Sequence, residues 1–114
     1  MHRAARLRVA GVLSGDDTIV VPTLFAIEVA ASLARVGVQL QAVRAYVDQL
    51  LSRASAIPLG PRAARQAQET AMRWKLRAAD AVYVWLAVRE GVPLCTIDRE
   101  LDRRAGGACA VIGV

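Results

Sequence analysis

Four short runs rich in β-branched and apolar residues alternate with stretches of helical periodicity, and this constrains the fold more than any other feature of the chain. "TIVVP" (Thr18–Pro22), "SAIPL" (Ser55–Leu59), "VPLCTI" (Val92–Ile97) and "CAVIGV" (Cys109–Val114) read as strands. Their predicted extents are Thr18–Val21, Ala56–Leu59, Leu94–Ile97 and Ala108–Ile112. Between them, "LFAIEVAASLARVG" follows Thr23, a candidate N-cap, and stops at Gly37. Gln39–Arg53 places Leu40, Val43, Val47, Leu50 and Leu51 on one side. A polar helix is expected over Pro61–Trp74, a second over Ala78–Arg89 closed by Gly91, and a short one ending at Ala105 before Gly106-Gly107. An amphipathic helix is expected over Arg3–Leu13. Strand–helix alternation favours a mostly parallel sheet covered by helices, which is an α/β fold.

A chain of 114 residues is long enough for one domain with one core. At 55% hydrophobic and 22% charged it is globular in composition. No apolar run is long enough to span a bilayer, and the start lacks the apolar core of a signal peptide, so a cytoplasmic protein is expected. Cys95 and Cys109 sit in apolar runs without metal-ligand spacing and are expected as small buried thiols. His2 is the only histidine, which leaves serine or cysteine nucleophiles without a base. The net charge is +5, and Lys75 is the only lysine among 15 basic residues. Arginine's planar fork suits phosphate oxygens, although an arginine-rich composition is also an alternative source of the charge.

Three acids stand in apolar company. Glu28 lies one turn into a helix, with Leu24, Phe25, Ala31 and Ser32 as its helical neighbours. A carboxylate there is costly unless it is paired, protonated or metal-bound, and a surface glutamate at the edge of the apolar stripe is the even alternative. Asp80 stands at the start of a helix that is apolar nearly all round, where an N-cap is the competing reading. Asp98 ends the run "LCTI" just before "DREL", where it is either a helix cap or a site residue at a strand's carboxyl end. Asp102, in the same charged segment, is expected outside any site, on a solvated face with i,i+4 charge pairs. In a parallel sheet the first three acids can converge above one edge. Carboxylates without histidine or cysteine form a hard-oxygen site suited to Mg²⁺ or Mn²⁺, and phosphodiester hydrolysis is the natural chemistry of such a site.

"TIVVPTLFAIEVAASL", "LRAADAVYVWLAVREGVPLCTIDREL" and the closing "CAVIGV" together resemble a PIN domain, most closely the VapC-type toxin of a VapBC toxin–antitoxin system. The similarity covers essentially the whole chain, and the Ala-Asp-Ala…Thr-x-Asp segment is its more specific part. The resemblance implies a three-layer fold with a central parallel sheet in a single domain over residues 1–114, and Mg²⁺-dependent endoribonuclease activity. By position, Glu28, Asp80 and Asp98 match acids that hold the metal. Thr96 matches the small hydroxyl residue that positions a ligand or water. The implied partners are RNA, a VapB-like antitoxin and a second copy of the chain, without a membrane.

Members of this family open with a strand ending in an aspartate that ligates the metal, and this sequence starts at what would be the next helix. Asp16 and Asp17 precede the Thr18–Val21 run and so sit at its amino end, away from a site at the carboxyl end. The expectation is therefore a truncated or decayed copy, with a gap in its sheet or a partner chain filling it. Its cleavage of RNA is expected to be weak or absent. The alternatives are a non-catalytic binding or dimerisation module and a generic flavodoxin-like domain. The latter is weakened by the lack of a glycine-rich phosphate loop.

Overall fold

The computed structural model describes residues 19–96 and 99–113. The helix expected over Arg3–Leu13, together with His2, Asp16, Asp17 and Asp98, lies outside the described residues. Nine elements follow in order: β1 (Ile19–Pro22), α1 (Leu24–Arg35), α2 (Leu40–Leu51), β2 (Ala54–Ile57), α3 (Pro61–Trp74), α4 (Ala78–Glu90), β3 (Leu94–Thr96), α5 (Arg99–Ala105) and β4 (Val111–Gly113). The fold is α/β, and every strand pairing among the described residues is parallel. The four strands form two separate pairs, β1 with β2 and β3 with β4, where the sequence pattern suggested one sheet. The chain divides into two compact units, which within the described residues are 19–58 and 59–113.

In the 19–58 unit, Ile19 lies opposite Ala54 and Pro22 opposite Ile57. The ladder starts two residues earlier on β2 than expected. Pro58 has no N–H to donate, so the strand stops before it, and the Thr23 N–H closes the pairing on the Ile57 carbonyl at 3.1 Å. Val21, Pro22, Val43 and Leu50 are buried here. Helix α1 buries none of its residues despite its apolar sequence. Gly37, just past its end, takes φ +91°, a left-handed conformation that a side chain would strain.

In the 59–113 unit, Leu94 lies opposite Val111 and Thr96 opposite Gly113. The last strand begins later than the expected Ala108. The N–H groups of Ala108 and Cys109 both reach the Ala105 carbonyl, at 2.8 and 3.1 Å, and close the turn after α5. The core joins Val84 and Ala87 of α4, Leu94 of β3, and Leu101 and Ala105 of α5, with Leu76, Tyr83, Ala108, Cys109 and Val111 packed around it. Helix α4 buries Ala81, Val82, Val84, Trp85, Leu86 and Ala87, as its nearly all-round apolar sequence implies. It ends on Gly91 at φ +65°, the position read as its stop.

Pro61 opens α3 at a position where its missing N–H costs nothing. The helix closes on Lys75 at φ 54°, a left-handed conformation costing a non-glycine residue roughly 1–2 kcal/mol. The Lys75 carbonyl accepts from Arg104 Nη1 at 2.9 Å, which ties the end of α3 to α5. On the exposed face of α5, Glu100 pairs with Arg103 at 2.7 Å and Arg104 at 2.6 Å, the charge pairing expected of "DRELDRR". Hydrogen bonds from Arg103 and then Arg104 hold the Glu100 carboxyl below its ordinary value. Pairs this exposed contribute little to stability.

Candidate active site

Glu28 is the fifth residue of α1, which follows β1 after Thr23 alone. It therefore stands just over one turn beyond the carboxyl end of β1. Its side chain is half-buried, Leu24 and Phe25 are also half-buried, and Ala31 and Ser32 are exposed. The face around Glu28 is thus partly open to water, and the penalty for holding a carboxylate there is smaller than the apolar sequence suggested. Thr23 occupies the N-cap position of α1 but makes no side-chain cap hydrogen bond.

Asp80 is not the cap of its helix. Helix α4 starts at Ala78 with Arg77 in the cap position, and Asp80 is the third helical residue. The competing reading of Asp80 as an N-cap is thereby corrected. The carboxylate does sit in the first turn, where the exposed amides of the helix end favour negative charge. The connection 91–93 turns the chain back, and Val84 and Ala87 of α4 pack in one cluster with Leu94 of β3. The start of α4 and the carboxyl end of β3 consequently lie toward the same end of the unit. Thr96 is the last residue of β3 and is half-buried. Asp98, between β3 and α5, falls outside the described residues.

Glu28 belongs to the 19–58 unit, and Asp80 and Thr96 belong to the 59–113 unit. Among the described residues no group of three His, Cys, Asp or Glu side chains could hold a metal ion. The donors assigned from sequence are all hard oxygens. Neither cysteine offers a softer alternative: Cys109 is half-buried, with burial pushing its thiol up, and Cys95 is exposed rather than buried as expected. Both are free thiols. Among the described residues no polar or charged side chain is fully buried, so Glu28, Asp80 and Thr96 all keep access to water.

Sequence reasoning passed over a second cluster. Along α3, Gln66, Glu69, Thr70 and Arg73 share one face at helical spacing, and along α4 Trp85, Val88 and Arg89 do the same. The two faces border one groove. The spacing was present in the sequence, but which helix it would meet was not.

A family model described as PIN domain matches residues 2–107 of the chain. No curated protein matches it. Among the described residues, no helix is long and apolar enough to cross a membrane.

Proposed function

This chain belongs to the PIN domain family, and from that premise we propose that it is a Mg²⁺-dependent endoribonuclease of the VapC toxin type, hydrolysing RNA phosphodiester bonds. PIN domains are in general nucleases, and the observation that carries the reading is the family match over 2–107, which spans Glu28, Asp80, Thr96 and Asp98. In this proposal Glu28, Asp80 and Asp98 would hold the ion as oxygen ligands, with Mn²⁺ able to replace Mg²⁺. The ion, when held there, would supply the acidification of a water and charge compensation on the leaving oxygen.

The protein's own residues have distinct tasks. Asp80 brings negative charge to a helix N-terminus that favours it. Glu28 contributes a carboxylate that keeps contact with solvent. Thr96, at the end of β3, orients a ligand or water through its hydroxyl. An excess of arginine over acids supports phosphate binding. One domain over residues 1–114, a cytoplasmic location, a VapB-like antitoxin and a homodimer belong to the same proposal. Ile27, Val36 and Leu40, which are 66%, 78% and 74% exposed, offer apolar surface for such protein partners. That exposure equally favours the alternative, a PIN-like binding module without catalysis.

Incubation of single-stranded RNA with the chain in Mg²⁺, Mn²⁺ or EDTA tests the reading. The expected result is weak internal cleavage, above the EDTA background with either ion. Cleavage indifferent to EDTA would refute the metal chemistry, and no cleavage with either ion would favour the binding module.

A further inference from the structure

The groove between α3 and α4 has a volume of about 520 Å³ and includes both tryptophans of the chain, Trp74 and Trp85, in its lining. This falls within the range of roughly 300–1,000 Å³ typical of sites for small organic ligands, and so leaves room for a nucleotide. Each tryptophan carries a guanidinium over its ring, Arg73 on Trp74 at 5.2 Å and Arg89 on Trp85 at 5.4 Å. The rings are themselves held in place. Trp85 Nε1 donates to Gln66 Oε1 at 2.9 Å, and Trp74 packs so closely on Gly107 that a Cβ there would lie 2.5 Å from its Cζ3.

We propose that this groove is a docking site for single-stranded RNA, separate from the acids assigned to the metal. The inference rests on RNA being the substrate, as proposed above. A guanidinium held over an indole ring is restrained there, and its outer side keeps N–H groups for phosphate oxygens and a flat surface for a base. Gln66 uses its carbonyl oxygen on Trp85 and keeps its amide NH₂ as a donor. Among the lining residues two arginines face one acid, Glu69, and Arg89 also has an exposed pair through its Nε with Glu90 at 3.9 Å, which leaves its terminal N–H groups for an anion. Trp85 is itself buried, so the groups the groove presents are the exposed guanidiniums of Arg73 and Arg89, whose flat charged faces suit unstacked bases joined by phosphates, whereas a duplex hides its base faces. An acidic peptide would pair with the arginines but leave their flat outer faces unused.

Because the chain has no other tryptophan, its intrinsic emission reports on this groove. Short oligouridylate and oligoadenylate are titrated in EDTA against the wild type, Arg73→Gln/Arg89→Gln and Glu69→Gln. All three positions are exposed, so these changes spare the core. The wild type should show a saturable emission change. The double variant should bind about tenfold or more weakly, with a salt slope smaller by about one to two. Glu69→Gln should bind more tightly, an effect that no folding defect produces. Unchanged affinity in the double variant overturns the proposal, as does an emission response to polyglutamate and none to RNA. If Mg²⁺-dependent cleavage persists in that event, only the groove assignment falls. Should the wild type neither bind nor cleave RNA, the ribonuclease reading falls with it.

Discussion

Replacing Asp80 with asparagine should bring the weak RNA cleavage of this chain down to the metal-free background, while leaving the protein folded. Asparagine keeps the shape of the side chain and its capacity to accept hydrogen bonds, and removes the charge. Asp80 is the third residue of α4 and does not cap it, and the field at the helix N-terminus favours its charge. That contribution is about 0.3–1 kcal/mol. Loss of that share alone moves the melting temperature by only a few degrees while the rate collapses. Full cleavage in Asp80→Asn, or a large loss of stability with cleavage intact, would give Asp80 a structural role instead.

Leu94→Ala should cost about 2–5 kcal/mol, a large share of the 5–15 kcal/mol that holds a typical domain together. Leu94 is 7% exposed and clusters with Val84 and Ala105, both 0% exposed, and with Ala87 and Leu101. Two of these neighbours are alanines, whose single methyl cannot swing in to fill the space left behind. Leu94 also opens a strand of only three residues, and its N–H donates to the Ala110 carbonyl at 2.9 Å, so a void there loosens the β3–β4 pair. Urea unfolding measures the loss, with Leu94→Met as the volume-conserving control expected to cost less than about 1.5 kcal/mol. A loss below about 1 kcal/mol for Leu94→Ala would show that this cluster does not anchor the unit.

The elements most legible in the sequence were those marked by local chemistry. Pro61 at the start of α3 and Gly91 at the end of α4 fixed those bounds, because each residue type does something there that others do poorly. The strand ends at Ala54 and Val111 were misjudged, since ladder hydrogen bonds depend on a partner strand that composition does not reveal. Periodicity also could not say how much of an apolar helix is covered. The apolar sequences of α1 and α4 differ completely in burial, none of α1 against most of the middle of α4. Glu28 was legible as an acid one turn into the helix after β1 and Asp80 as one near the start of α4, although its place as third helical residue excludes the cap. The α3–α4 groove depends on two helices meeting, and no spacing within either one announces the other.

The shared-ion proposal for Glu28, Asp80 and Asp98 is tested most directly by Mn²⁺ binding, followed through the paramagnetic signal of the free ion. Wild type is compared with Glu28→Gln, Asp80→Asn and Asp98→Asn, each checked for folding by circular dichroism. The account predicts one ion per chain and a loss of affinity of about tenfold or more in every variant, since each removes a charged oxygen ligand. Wild-type affinity in any one variant would remove that residue from the site, and a wild-type chain that takes up no Mn²⁺ would contradict the metal site as a whole.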